Sequence, residues 1–170
     1  MPTYNLTTRL LHWLAALLLI AQFSAAIAEI VAGKENVVSQ LVGPLHGDIG
    51  LIVLGLFAIR LAWKLSGDKT TGSQHNAWVK VGHFALYALM ALVPISAVMI
   101  KIGAGRGLDL FGIELVSSGE KVAWMLESGK LLHTPLAWLF GALIAGHILM
   151  AVYHQFFLKD RAIGRMVKGK

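Results

Sequence analysis

The chain has 170 residues, of which 56% are hydrophobic and 14% charged, whereas an ordinary soluble domain carries about 25% charged residues. This composition predicts a membrane protein, and the length suits one domain over residues 1–170. The chain contains no cysteine, which excludes iron–sulfur clusters and haem held by thiolates. The basic residues form no dedicated arm, so nothing indicates nucleic-acid binding.

The first apolar run extends from Leu10 to Ala28 and contains His12. It shares features with a secretory signal peptide, because Ala26-Ile27-Ala28 is typical of a cleavage site. Its apolar core is longer than the usual length of about 7–15 residues, however, and further apolar runs follow it. We therefore predict a retained first span over about residues 8–30.

Three more apolar runs are long enough to cross a bilayer, which takes about 20 residues. Pro94 lies inside the third run, where neighbouring helices can accommodate a kink. The glycine-rich connection before the fourth run contains EKVAWMLESG, positions 120–129, which predicts a short helix at the membrane surface. The sequence therefore predicts an all-α, four-helix transmembrane bundle, with spans over about residues 8–30, 45–65, 78–102 and 131–158.

The distribution of basic residues predicts the orientation of this bundle. Ten Lys and Arg residues lie on the side that carries both termini, and five lie on the other side. Loops rich in Lys and Arg stay in the cytoplasm. An even number of spans puts both termini on one side, and both are therefore predicted to be cytoplasmic.

The fourth span contains no acid, Lys or Arg, yet it carries His133, His147 and His154. A polar ring at membrane depth is unfavourable without a partner, so these histidines are candidates for function. His147 and His154 are seven residues apart. Both rings should therefore leave one face of the helix, about 10 Å apart along its axis.

Depth along the spans, counted at about 1.5 Å per residue, suggests partners for these rings. His154 and His12 lie at similar depth near the inner surface, and His147 and His46 lie at similar depth in the outer half. Two pairs at two depths predict two planar macrocycles, and haem b, held without covalent attachment, suits neutral imidazole ligands. The chain has no C-x-x-C-H motif, so covalent haem is excluded. The predicted pairs, His12/His154 and His46/His147, leave each iron without an open position, which favours transfer of single electrons.

The remaining histidines have weaker indications. Depth places His133 at the outer edge, as an interfacial ring rather than a ligand, and His83 at the inner edge, where it could bond a bound molecule. His75 lies in a polar loop and is expected to be solvated. A membrane histidine can also simply bond a carbonyl of another helix, so a structural bundle without a cofactor remains an alternative.

Several motifs follow one another in a specific order along the chain. They are Arg9-Leu10-Leu11-His12-Trp13, His46-x-x-x-Gly50, Arg60, His83 with Tyr87, Pro94, and His147 and His154 followed by Lys159-Asp160 and Arg165-Met166. In this order the chain resembles the bacterial cytochrome b561 family over essentially its whole length. The resemblance implies a multi-pass protein of the bacterial inner membrane with four helices, two haem b groups and quinone redox chemistry. One branch of the family oxidises superoxide and reduces ubiquinone, and a related branch supplies the membrane cytochrome of hydrogenases and dehydrogenases.

The resemblance implies an electron path through this chain. Electrons from superoxide or a donor protein would enter at the outer haem, pass to the inner haem and reduce ubiquinone, so that the chain would be a superoxide:ubiquinone oxidoreductase. The alternative is a cytochrome b subunit that relays electrons between a partner dehydrogenase or hydrogenase and quinone. The predicted quinone pocket lies near His154, His83 and Arg9. Arg60 and Lys64 could contact haem propionates, although both could equally extend to the membrane surface.

One feature departs from a superoxide-oxidising cytochrome. The outer side carries seven acidic and five basic residues, a formal charge of −2. A site that collects an anion is expected to attract it electrostatically. The net-negative outer side, with its acidic connection over residues 103–130, therefore weakens the superoxide hypothesis, although Lys101, Arg106, Lys121 and Lys130 could still form a local basic patch.

Overall fold

The computed structural model describes residues 4–33, 35–66 and 77–168. Four helices in it are long and apolar enough to cross a membrane, which confirms the predicted four-helix bundle. The long helices are α1 (Leu6–Ala32), α3 (His46–Leu65), α4 (Ala77–Gly103) and α5 (Ala123–Phe156). A short helix α2 (Val37–Val42) and a 3₁₀ turn (Gly43–Leu45) precede α3, and α6 (Ala162–Lys168) closes the chain.

The connection between α4 and α5 forms a two-stranded antiparallel hairpin, β1 (Leu108–Leu110) and β2 (Ile113–Val116). We call the end of the bundle that carries this hairpin the hairpin end. The opposite end, where α1 begins and α6 lies, is the terminal end. The interior of the bundle is small, and large apolar side chains are exposed along all four long helices, as expected for surfaces that face lipid.

Glycines bring α4 and α5 into backbone contact at the hairpin end. A methyl group added to Gly129 would lie 2.8 Å from the Ser96 carbonyl oxygen, and one on Gly103 would collide with the backbone of Leu126. Small residues at such positions let two helices approach closely. The bundle is therefore tightest between α4 and α5, whereas α1 packs mainly on α2 and α3.

One predicted boundary needs correction. The fourth helix begins at Ala123 and runs unbroken through Pro135 to Phe156, so the separate surface helix over positions 120–129 does not exist. The hairpin and α6 were not predicted. His75 lies outside the described residues. The charged residues between positions 120 and 130 predict the end of a span, but α5 continues as a helix beyond its apolar section.

Candidate functional site

One face of α5 carries a stripe of aromatic rings. His133, Phe140, His147 and His154 follow one another at intervals of seven residues. Seven residues make almost two turns, so the four side chains leave the helix in similar directions, about 10 Å apart along the axis. Phe140 is 3% exposed and lies midway between His133 and His147. The stripe therefore contains three histidine levels. We call the level of His147 the first and that of His133 the second, and the buried Phe140 ring separates these two.

The first level is a cluster of three histidines from three helices. The ring centroid of His147 lies 6.3 Å from that of His12 on α1, with the ring planes at 59°. It also lies 5.5 Å from that of His83 on α4. Nδ1 of His83 is 2.7 Å from the Val79 carbonyl oxygen, so this nitrogen is the donor and Nε2 remains available.

A cavity of about 1380 Å³ surrounds this cluster between α1, α3, α4 and α5. Its volume exceeds the roughly 300–1,000 Å³ of common small-molecule sites. Arg60, Lys64 and Lys80 line it, and none of the described lining residues is acidic. The cavity is otherwise largely apolar, so it suits a large flat molecule that carries negative groups at one edge.

Tyr87 organises the cationic side of the cavity. The Arg60 guanidinium carbon lies 5.4 Å from the Tyr87 ring centroid, and Lys64 Nζ lies 4.9 Å from it. Arg60 also donates a hydrogen bond to the Leu11 carbonyl at 3.2 Å. Two cations held against one ring keep their charge at a fixed place beside the cavity.

The second histidine level lies toward the hairpin end. The His133 and His46 ring centroids are 6.2 Å apart, with the planes at 80°. His133 is 14 residues before His147, so the two levels are about 21 Å apart along α5. Gln22 of α1 donates a hydrogen bond to the His46 carbonyl at 3.0 Å, which ties the start of α3 to the bundle.

A buried serine holds the His133 ring. Ser96 is 2% exposed, and its hydroxyl donates to the Val93 carbonyl at 2.6 Å. Nδ1 of His133 lies 3.0 Å from Ser96 Oγ and 3.2 Å from the Val93 carbonyl oxygen. With its proton on Nδ1, His133 donates to both oxygens and keeps Nε2 unprotonated, as a metal-binding imidazole requires.

The spacing of both pairs fits two axial ligands on one metal. A metal–nitrogen bond of about 2 Å on each side places two imidazole centroids roughly 6 Å apart. The observed distances are 6.3 Å for His12/His147 and 6.2 Å for His46/His133. Among the described residues, no group of three or more His, Asp or Glu side chains converges on a point. Paired imidazoles across a macrocycle are thus better suited to this arrangement than a free ion.

These pairs differ from the two that depth counting predicted. His12 lies opposite His147, and His154 is about 10 Å further along α5; similarly, His46 lies opposite His133. Because α5 begins at Ala123, His133 is ten residues inside the helix rather than at its edge. The seven-residue periodicity of the α5 face was the sequence signal that could have identified His133.

His154 is engaged with the C-terminal segment. Its Nδ1 lies 2.6 Å from Asp160 Oδ2, and Asp160 Oδ1 accepts from the Ala162 N–H at 3.0 Å. Partial burial tends to raise the pKa of Asp160, but the hydrogen bond and field of His154, the Ala162 N–H and Arg165 outweigh it, so the pKa lies below its usual value. His154 thus anchors the turn that leads into α6.

The start of α1 holds the other end of this segment. Arg9 donates to the Met166 carbonyl at 3.2 Å and to the Val167 carbonyl. Trp13 Nε1 donates to the same Met166 carbonyl at 3.0 Å. Met166 lines the large cavity, whereas Arg9 and His154 do not. Of the three residues predicted for a quinone pocket, only His83 therefore borders the cavity.

Comparison with known proteins identifies the family of the chain. The model of the prokaryotic cytochrome b561 family matches residues 3–169. The chain belongs to the prokaryotic cytochrome b561 family. It is a membrane cytochrome b that functions in electron transfer.

Two relatives match nearly the whole chain. Cytochrome b561 homolog 2 of Escherichia coli (strain K12) is 24% identical over 170 residues, covering 96% of this chain and 90% of the relative. A protein of Yersinia pestis named "Probable superoxide oxidase CybB" is 25% identical over 170 residues, covering 94% of this chain and 93% of the relative.

Proposed function

We propose that the chain binds two haem b groups and passes single electrons across the bacterial inner membrane to or from quinone. The proposed axial ligands are His12 with His147 and His46 with His133. The observation that carries the proposal is the presence of two histidine pairs whose centroids lie 6.3 Å and 6.2 Å apart. A haem b group with two imidazole ligands supplies one-electron chemistry and has no open position for oxygen.

The residues around the first pair suit a haem with its propionates toward the terminal end. Arg60 and Lys64 line the cavity beside His12, and both cations lie against the Tyr87 ring. They would bind carboxylates through charge-assisted hydrogen bonds. The cationic side of the cavity suits the carboxylates of a haem, and its apolar remainder suits the macrocycle.

The proposed quinone site lies in the same cavity, next to His83. Because Nδ1 of His83 is bonded to the Val79 carbonyl, Nε2 can accept a hydrogen bond from a quinol hydroxyl or, when protonated, donate to a quinone carbonyl. Arg9 and His154 would support this site indirectly, since both fix the segment that carries Met166. Ubiquinone is the expected substrate of a protein of this family.

The electron donor would approach the hairpin end, which the excess of Lys and Arg on the other side predicts to lie outside the cytoplasm. The name of the Yersinia pestis relative makes superoxide one candidate donor. The charge of −2 on this side disfavours a small anion and favours the alternative, a relay from a partner protein.

The test is a haem count on variants reconstituted in lipid nanodiscs. Wild-type protein should contain two haem b per chain by the pyridine haemochrome assay, and a quinol should reduce both. His147→Ala and His133→Ala should each lose one haem, whereas His154→Ala should keep two. One haem in the wild type, or loss of a haem in His154→Ala, would contradict the proposed ligands, and a colourless protein would favour a structural bundle.

A further inference from the structure

The C-terminal segment connects the two helices that carry the first histidine pair. Helix α5, which carries His147, ends at Phe156, and the chain then turns to form α6. Backbone carbonyls near the end of α6 accept hydrogen bonds from side chains of α1, the helix that carries His12. We call residues 160–167 the C-terminal brace, because this segment joins α5 to α1 at the terminal end.

One end of the brace is fixed to α5 by side chains. Nδ1 of His154 lies 2.6 Å from Asp160 Oδ2, and Gln155 Oε1 accepts a hydrogen bond from the Gly164 N–H at 3.2 Å. The residues on either side of Asp160 have positive φ angles of 54° and 60°. Residues other than glycine keep such strained angles only where the surrounding structure holds them. The turn is therefore firmly attached to the end of α5.

The other end of the brace is fixed to α1 beside His12. Arg9 donates to the Met166 carbonyl at 3.2 Å and to the Val167 carbonyl, and hydrogen bonds from a charged donor are stronger than neutral ones. Trp13 Nε1 donates to the same Met166 carbonyl at 3.0 Å. The Trp13 ring centroid lies 5.5 Å from that of His12, with the planes at 80°. The brace therefore holds α1 within one helical turn of the His12 ring.

Backbone packing holds α1 against α5 much less firmly than α4 against α5, since α1 packs mainly on α2 and α3. The described contacts between α1 and α5 include the Phe23 ring, whose centroid lies 6.2 Å from that of Phe140. Phe140 is about 10 Å from His147 along α5, toward the hairpin end. Met166 of the brace lines the cavity from the terminal end. Two contacts thus flank the first histidine pair: the phenylalanine rings on one side and the brace on the other.

We propose that the C-terminal brace holds α1 and α5 at the separation that the first haem requires, and that it thereby slows the release of that haem. This inference rests on the proposed function, because it concerns the haem between His12 and His147. Each imidazole must stay about 2 Å from the metal, so an outward movement of α1 would break the bond to His12. Arg9 and Trp13 are thus positioning residues, which act on His12 by tying α1 to the backbone of the brace.

The test measures how fast haem leaves the holoprotein in lipid nanodiscs. Apomyoglobin in excess captures the released ferric haem, and the change in absorbance gives the rate. Release of the first haem is followed in His133→Ala protein, and release of the second haem is followed in His147→Ala protein. Each brace variant is also made in the otherwise wild-type chain, so that the same comparison is repeated with both haems present.

The decisive variant is Arg9→Gln, which removes the charge and the bonds to two carbonyls. Loss of one hydrogen bond to a charged group corresponds to a change of about tenfold or more, so the first haem should be released about tenfold faster or more. Trp13→Phe loses one neutral bond and keeps a ring beside His12, and it should speed release about fivefold. Lys168→Gln, which removes an exposed charge from the same end, should have no effect.

The second haem is the internal control. Its release should be unchanged in all three variants, and freshly purified variants should still contain two haems, because the brace controls the rate of loss. Equal acceleration for both haems, or no acceleration for the first haem in Arg9→Gln, would overturn the proposal.

Two further measurements separate a brace from a merely structural contact. Hydrogen exchange over residues 162–167 should increase in Arg9→Gln; an increase there without faster haem release would overturn the proposal. The chain has no cysteine, so Arg9→Cys combined with Val167→Cys provides one pair for a flexible bismaleimide linker. Release should be fast before linking and close to the wild-type rate after it, whereas release that stays fast in the linked protein would contradict the brace.

The brace and the proposed function fail in different ways. A His133→Ala protein without haem would contradict the ligand pair His12/His147, and the brace would fall with it. A His133→Ala protein that contains haem, and from which Arg9→Gln releases it no faster, would contradict the brace alone.

Discussion

The Ser96 hydroxyl should tune, through His133, the potential of the outer haem, which is the haem proposed to lie between His46 and His133. When Nδ1–H of a ligating imidazole donates to an oxygen, the ring becomes a better electron donor to the metal. This effect stabilises ferric iron more than ferrous iron. Ser96→Ala removes the acceptor that lies 3.0 Å from Nδ1, so the midpoint potential of the outer haem should rise.

The size of the shift follows from the value of one hydrogen bond. A neutral hydrogen bond contributes about 1 kcal/mol, and for one electron 59 mV corresponds to about 1.4 kcal/mol, so complete loss sets a limit of about 40 mV. The Val93 carbonyl remains as an acceptor at 3.2 Å. We therefore expect an increase of about 20–40 mV in the outer haem, measured by spectroelectrochemical titration in nanodiscs.

A matched control tests whether the effect requires the histidine. The Ser24 hydroxyl also bonds a carbonyl three residues earlier, that of Ala21, at 2.9 Å. Ser24→Ala should leave both potentials unchanged, and Ser96→Thr, which keeps the hydroxyl, should largely restore the wild-type value. A downward shift, an equal shift in both haems, or no shift despite full haem content would refute the reasoning.

Three further predictions concern packing, acid and the quinone site. Gly129→Ala should separate α4 from α5 and lower the free energy of unfolding by about 1–3 kcal/mol. Both the melting temperature and the outer haem content should then decrease. Gly146→Ala, with nothing within 4 Å of the added methyl, should change neither quantity. The pKa of Asp160 is lowered on folding, so its bond to His154 stabilises α6 above about pH 4 and is lost as pH falls through the folded pKa. Hydrogen exchange in α6 should increase over that fall in pH. Asp160→Asn should remove this pH dependence. His83→Ala should keep both haems and slow quinone reduction in steady-state assays, whereas a lost haem would make His83 a ligand.

The sequence was sufficient for the bundle because hydropathy reports directly on spans. Four apolar runs produced four helices, and Pro94 lies inside α4 as expected. The hairpin was missed because its turn is Phe111-Gly112 rather than the Asn-Gly that typically indicates one. The start of α5 was missed because a charged segment over residues 120–130 can continue a helix beyond the lipid.

His12, His46 and His147 lie in the observed histidine pairs, whereas His154 contacts Asp160, because the neighbour of each ring depends on contacts between helices. Depth counting assumed that each span begins at its nearest charged residue, and an error of a few residues shifts a ring by several ångströms. The seven-residue spacing already puts His133 on the same face as His147, but its depth in the bundle follows only from the start of α5 at Ala123. The bond between His154 and Asp160 depends on a turn with Lys159 and Arg161 at positive φ, which no sequence pattern indicated.

The most direct test of the account is an experimental density map of the holoprotein in lipid. We expect two planar macrocycles, one with its iron between His12 and His147 and the other with its iron between His46 and His133. Their irons should lie at the two levels that the 14-residue spacing on α5 defines, about 21 Å apart along the axis. A single macrocycle, or an iron bound by His154, would contradict the account.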